Sequence, residues 1–228
     1  METNRHISVT IDGPSGAGKS TLSRAAAREL GFVYVDTGAI YRTVACYALR
    51  RGVDPQDSQA MERLLPEIKI TMEYDDEGLQ RMYLNGEDLT DQIRTQEVSM
   101  AASKVSVHPA VRSFLLNMQR EMARRHSVIM DGRDIGTVVL PQADVKIFLT
   151  ASSEARARRR WKELQEKGVA KDFQQLLRET EERDAADRNR AAAPLRPAED
   201  AVELDTTALS FEESQQSILK IIRERAGL

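Results

Sequence analysis

Residues Gly13-Pro14-Ser15-Gly16-Ala17-Gly18-Lys19-Ser20 match the pattern G-x-x-x-x-G-K-[ST] in full, with Thr21 directly after them. Glycines let consecutive backbone N–H groups turn inward around phosphate oxygens, and the helix that follows presents its positive end to them. Lys19 is placed to reach the β- and γ-phosphates of a nucleoside triphosphate, and the Ser20 hydroxyl to ligate Mg²⁺. An apolar run before the motif and a helical pattern after it supply the strand–turn–helix context that this chemistry needs. Gly13 to Thr21 thus fix a phosphoryl donor and leave the acceptor open.

Three further clusters bear on the acceptor. Asp36-Thr37-Gly38-Ala39-Ile40-Tyr41-Arg42 reads as a strand end running into a helix. A hydroxyl at the N-cap, free helix N–H groups and Arg42 would make an anion cradle there. The same letters also read as an ordinary cap, with Tyr41 in the core and Arg42 on the surface. Asp131-Gly132-Arg133-Asp134 follows a core-strand pattern, and open α/β sheets gather ligands at the carboxyl ends of their strands. Asp131 can orient Mg²⁺ through water. Arg133 can fork onto a phosphate, while Asp134 can only accept hydrogen bonds, which suits an exocyclic amine on a base. The competing reading is an Arg133–Asp134 pair that steadies a loop.

In the third cluster, Arg183, Asp187 and Arg190 are spaced four and three apart and share a helix face. The two arginines stand about 10 Å apart along the axis, a span that serves two phosphates or two sides of one transferring group. Upstream, Arg156, Arg158, Arg159 and Arg160 form a dense positive patch, which reads equally as a solvated, ion-paired helix face.

Several uses of the phosphate loop are disfavoured. A GTPase needs a base-reading Asn-Lys-x-Asp, which the sequence lacks. A motor or transporter ATPase usually ends its second core strand in adjacent carboxylates, whereas Val128-Ile129-Met130 leads here into Asp131-Gly132-Arg133-Asp134. The 228 residues suffice for one substantial core with an appended subdomain, and a net charge of −3 argues against a chain built to coat nucleic acid. Cys46 is the only cysteine, so no intramolecular disulfide forms, and its helical setting points to a buried structural thiol. No apolar run approaches the ~20 residues of a membrane span. Met1 to His6 is polar, without the apolar stretch of a signal peptide, so the expectation is a soluble cytoplasmic protein. Small size and dense arginine favour a kinase for a small anionic acceptor.

The elements that must position these residues follow from periodicity. Short apolar runs alternate with helical patterns, the signature of an α/β fold with a parallel sheet. Strands are expected at Ile7 to Ile11, Phe32 to Val35, Val128 to Met130, Val145 to Leu149 and Val202 to Leu204. Leu22, Ala26 and Leu30 mark a helix after the first strand, and a second runs from Ile40 to Arg51. The stretch from Asp36 to Val128 is too long for an ordinary crossover. Within it Ile68, Ile70, Met72 and Tyr74 alternate with polar residues, and Gln80 to Leu84 ends in the hairpin signal Asn85-Gly86. A small antiparallel insertion is expected. Helices after Pro109 (Val111, Leu115, Met118, Met122) and from Phe211 to Arg225 (Ile218, Ile221, Ile222) complete the packing.

The segments GPSGAGKST, DTGAIYR, IRTQEVSMAASKVSVHPAVR, DGRDIGTVV, KIFLTAS and RDAADRNRAAAPL together resemble the bacterial cytidylate kinases, in the family's order and over nearly the whole chain. The resemblance implies a P-loop kinase core of residues 1–62 and 98–228, five-stranded in its sheet, with an inserted monophosphate-binding subdomain at 63–97 and a helical, arginine-rich lid at about 154–190. It implies phosphoryl transfer from ATP to CMP or dCMP with Mg²⁺, by a monomer with no nucleic-acid or membrane partner. The acceptor contacts it implies are Thr37, Ser103, Arg112, Arg133, Asp134, Arg183 and Asp187, with Arg42 and Arg190 on phosphate. Lys19, Arg133, Arg183 and Arg190 are the expected catalytic set. Serine is common in the family where Thr37 stands, and the hydroxyl is kept. Two other readings compete: a kinase for UMP, dTMP or shikimate, or a non-catalytic nucleotide- or RNA-binding module using the Arg156 to Arg160 patch.

Overall fold

The computed structural model describes residues 5–166 and 168–228. Part of the polar start, Met1 to Asn4, and one position of the expected lid, Lys167, lie outside the described residues. In chain order the elements are β1 (Ser8–Asp12), α1 (Lys19–Leu30), β2 (Val33–Asp36), α2 (Thr37–Arg50), α3 (Ser58–Leu64), β3 (Ile70–Tyr74), β4 (Gln80–Leu84), β5 (Glu87–Asp88), α4 (Gln96–Val105), α5 (Pro109–Arg125), β6 (Val128–Gly132), β7 (Val145–Thr150), α6 (Ser153–Glu166), α7 (Phe173–Asn189), β8 (Val202–Asp205) and α8 (Phe211–Ala226).

The five expected strands form one parallel sheet in the order β2-β6-β1-β7-β8. Alternation along each strand serves two separate apolar layers. Val128 and Met130 face the layer built with α2, α4 and α5, while Ile129 between them joins Val9, Ile11 and Ile147 against α1 and α8. Leu22, Ala26, Ile218 and Ile222 fill the second layer, as their helical spacing requires. Cys46 is buried in the first.

The alternating run before Asn85-Gly86 becomes β3 and β4, an antiparallel pair, and the turn adds the two-residue β5, which the sequence pattern does not announce. Asn85 and Gly86 both adopt positive φ, 51° and 88°, the backbone of a tight hairpin turn. Ile70, Met82 and Leu84 share one apolar cluster with Ile40, Val44 and Met130, so the small sheet packs on the parallel one without a core of its own.

Two helix ends differ from expectation. α2 begins at Thr37, three residues earlier than Ile40, because Asp36 rather than Thr37 is its N-cap: the Asp36 side chain accepts from Ala39 N. α7 ends at Asn189, and Arg190 beyond it has an extended backbone. Arg183 and Asp187 therefore share a helix face, while Arg190 reaches the same place from a loop.

Candidate active site

Acidic residues cluster at the carboxyl edge of the parallel sheet around its β1, β2 and β6 strands: Asp12 ends β1, Asp36 ends β2, and Asp131 and Asp134 lie at and just past the end of β6. Ligands of such sheets collect at this edge, and the motif residues meet here. Asp12 hands over to Gly13, whose φ is 150° and whose absent Cβ leaves room for the Leu149 carbonyl oxygen passing against it.

Lys19, the first residue of α1, is buried at 6% exposure and donates from Nζ to the Pro14 carbonyl at 2.7 Å. Burial and the neighbouring Arg133 charge push its ammonium well below the ordinary lysine range, against the pull of Asp131, Asp12 and Asp187. The Ser20 hydroxyl donates to Asp131 Oδ2 at 2.7 Å, and the Tyr34 hydroxyl to Asp131 Oδ1 at 3.0 Å. Burial, then Asp36, raises the Asp131 carboxyl to about 6. Thr21 is exposed. The outer side of the loop is gripped by α6: Arg156 Nη1 donates to Ser15 O at 2.9 Å, and Arg159 Nη1 to Ala17 O at 3.4 Å.

On the acceptor side, the Thr37 hydroxyl donates to the Asp131 carbonyl at 2.7 Å, and Arg42 pairs with Asp36 at 2.8 Å. Asp134 does not pair with Arg133. It is held by Arg112, with Arg190 Nη2 at 3.7 Å on its other oxygen, while Arg133 Nε donates to Asp187 Oδ2 at 2.9 Å. Arg112 lies over the Tyr41 ring at 5.8 Å and donates to Ser106 O at 3.3 Å. The Ser106 hydroxyl also sits 3.4 Å from Arg190 Nη1 and donates to the Ser103 carbonyl at 2.8 Å, which ties Ser103 to the cluster. Asp134 is aimed by a wide helical turn, in which Val139 N bonds back to Asp134 O and Leu140 N to Ile135 O at 2.7 Å.

The residues singled out in the sequence thus converge, and three of them carry open donors. Arg42 Nε, Arg183 Nε and Arg190 Nη2 are buried and have no hydrogen-bond partner among the described residues. Burial and Arg133 push the Arg183 guanidinium down to about 10, and burial lowers Arg190 too. Buried cations without full partners are costly, and anionic ligands would complete them.

The arginine patch divides. Arg158 and Arg160 are exposed and pair within their own helix with Glu154 and Glu163. Arg156, at 3% exposure, instead forks onto Asp184 of α7 and donates to Ala151 O at 2.9 Å. Asp12, Tyr34, Gln80 and Asp184 escaped the sequence reading. Asp12 had a signal, being an acid at a strand end beside the loop; it accepts from Ile135 N at 2.8 Å and Gly136 N at 2.7 Å.

The structure resembles a shikimate kinase from Bacteroides thetaiotaomicron (TM-score 0.50, 16% identity, 97% of this chain and 99% of that one). It likewise resembles a gluconokinase from Sinorhizobium meliloti 1021 (TM-score 0.50, 15% identity, 98% and 95%). Both likenesses concern the fold. In sequence, the chain is 52% identical over 223 residues to the cytidylate kinase of Solibacter usitatus, covering 97% of this chain and 94% of that one. It is 50% identical over 222 residues to the cytidylate kinase of Pasteurella multocida, covering 97% of each. The profile of the family described as Cytidylate kinase matches residues 9–224, and the chain belongs to that family.

Proposed function

We propose that the chain transfers the γ-phosphoryl group of ATP to CMP or dCMP by direct in-line displacement, giving ADP and CDP or dCDP. The carrying observation is the trio of buried guanidinium donors on Arg42, Arg183 and Arg190 without a hydrogen-bond partner among the described residues, with the Arg133 charge acting on both Arg183 and Lys19. Family membership supports the choice of nucleotide. Gly13 to Thr21 bind the triphosphate. Thr37, Arg42, Ser103, Arg112, Arg133, Asp134, Arg183 and Asp187, all on the 1–62 and 98–228 core, bind the acceptor, and the 63–97 insertion forms the monophosphate-binding subdomain beside them.

An acceptor phosphate carries about −1.5 to −2 charges near neutral pH, so it is already a nucleophile and asks little of a general base. One of its oxygens bonds to the γ-phosphorus while the bond to the β–γ bridging oxygen breaks, and that electron pair leaves on ADP. The obstacle is the approach of two anions. Lys19 and Arg133 on one side, with Arg183 and Arg190 on the other, offset that repulsion and hold the equatorial charge of the transition state. The Ser20 hydroxyl and Asp131 carboxylate, 2.7 Å apart, are hard oxygen donors of the kind that suits magnesium. Bound there, directly to Ser20 and through water to Asp131, Mg²⁺ would neutralise charge on the donor phosphates. A lid at 154–190 keeps water, the competing acceptor, away.

Asp134, which only accepts when ionised, suits the cytosine amine and opposes the uracil carbonyl in the same position. The reading has the chain working as a cytoplasmic monomer on free nucleotides, without nucleic-acid or membrane partners. An ADP-release assay with CMP, dCMP, UMP, dTMP and shikimate tests it. CMP or dCMP as the preferred acceptor is the expected result, and preference for UMP or shikimate would overturn it.

A further inference from the structure

β2 is an edge strand whose one ladder partner is β6, so the backbone groups on its other side need cover. Two side chains of the small sheet supply it. Tyr74 and Gln80 stand directly opposite each other in the β3–β4 ladder. The Tyr74 hydroxyl donates to the Tyr34 carbonyl at 3.0 Å. Gln80, itself buried, takes both backbone groups of Asp36: its Oε1 accepts from Asp36 N at 2.8 Å, and its Nε2 donates to Asp36 O at 3.3 Å. A primary amide that accepts from the N–H and donates to the C=O of one residue copies the peptide of a neighbouring strand.

What this grip fixes leads straight to the acceptor end of the site. The Asp36 carboxylate accepts from Ala39 N at 2.8 Å and pairs with Arg42 Nη2 at 2.8 Å. The Arg42 Nε left over is buried without a hydrogen-bond partner among the described residues. The next residue, Thr37, is the one whose hydroxyl reaches the Asp131 carbonyl. A Cβ at Gly38 would meet Arg42 Nη1 at 3.0 Å and Asp36 Oδ1 at 3.1 Å, so the pair is closely confined and follows the Asp36 peptide.

We propose that Gln80, assisted by Tyr74, is a positioning residue for the phosphate acceptor: it sets the Asp36 peptide, and through the Asp36 carboxylate it sets where Arg42 presents its open donor. Gln80 touches no substrate in this scheme. The proposal rests on the acceptor reading above and adds a task for the small sheet, which is to hold the arginine of the cradle in register with the parallel sheet.

Gln80→Met keeps the length and removes both hydrogen bonds, and Tyr74→Phe removes the hydroxyl alone. Thermal unfolding without ligand, KM for CMP, KM for ATP, kcat and calorimetric CMP binding are measured for each. In Gln80→Met the KM and Kd for CMP rise about tenfold, the scale of one lost buried hydrogen bond. KM for ATP stays at the wild-type value. Tyr74→Phe moves the same way by less, and carries the test should Gln80→Met not fold. A lowered melting temperature with unchanged CMP affinity, or parallel changes in both KM values and kcat, overturns the proposal and leaves the grip a structural staple. A wild-type chain that phosphorylates no CMP overturns both readings; one that does, beside variants that bind CMP normally, overturns this one alone.

Discussion

Arg133 Nε donates to Asp187 Oδ2 at 2.9 Å, so the loop after β6 and helix α7 share one partly buried ion pair across the site. Burial pushes the Asp187 carboxyl up, but Arg133, Arg190 and Arg183 outweigh it and hold the group below its ordinary value. Its stabilising contribution is therefore present above the usual aspartate range near pH 4 and fades as the pH falls below it. Asp187→Asn keeps an oxygen for Arg133 Nε, whereas Asp187→Ala leaves that guanidinium unheld. The expected order of kcat/KM for CMP is wild type, then Asn, then Ala; equal values for the two variants in a steady-state assay would contradict the positioning role.

Arg183 separates catalysis from stability. Its guanidinium is buried, pushed down to about 10 by burial and by Arg133, and its Nε lacks a hydrogen-bond partner among the described residues. A base lowered in the folded state favours unfolding while it stays charged, so stability rises only as the pH climbs past about 10. Arg183→Ala removes that burden together with a transition-state contact. Its kcat should fall roughly 10²- to 10³-fold with a melting temperature at or above wild type. Near-normal turnover would remove Arg183 from the mechanism.

How far the sequence reaches is visible in the arginines. The phosphate loop was legible because its chemistry is written in adjacent letters, and the five strands because apolar runs and turns are local. Arg133-Asp134 invited a local pair, yet each partner is drawn from elsewhere: Asp187 for one, Arg112 and Arg190 for the other. The patch from Arg156 to Arg160 shows the same limit, since only the fold distinguishes Arg156, turned inward onto Asp184, from Arg158 and Arg160 on the solvent side. Gln80 gave no signal, because its partner is the backbone of Asp36, 44 positions away. Short-range periodicity specifies faces and ends; pairings across the sheet edge depend on topology.

Arg156 and Asp184 test how the lid helices are fastened. The pair is buried, and Arg156 also donates to the Ser15 carbonyl of the phosphate loop. Removing one partner strands a buried charge, at a cost of about 3–5 kcal/mol. Arg156→Met should lower the melting temperature sharply. Arg156→Met with Asp184→Leu should recover most of the stability, because an apolar pair of similar size carries no stranded charge. Activity should stay low in the double variant, since Ser15 keeps no tie to α6 through this side chain. A double variant as unstable as the single one would show that packing, and not charge, dominates at this position.

Asp12 predicts opposite pH trends for stability and activity. Burial raises its carboxyl from 3.8 to about 6, against the hydrogen bonds it accepts from Gly136 N and Ile135 N. A carboxyl raised in the folded state binds its proton before the unfolded chain does. Folding is thus favoured as the pH falls through about 6 toward 3.8. Protonation also turns one of the two acceptor oxygens into a hydroxyl, so one N–H of the turn behind Asp134 loses its ideal partner. Between neutral pH and about pH 5, wild type should gain stability relative to Asp12→Asn, which cannot titrate, while its own kcat/KM for CMP declines. Melting curves and initial rates for both proteins across that range decide the point. A stability gap that does not change with pH would mean that Asp12 stays ionised in the folded chain across that range.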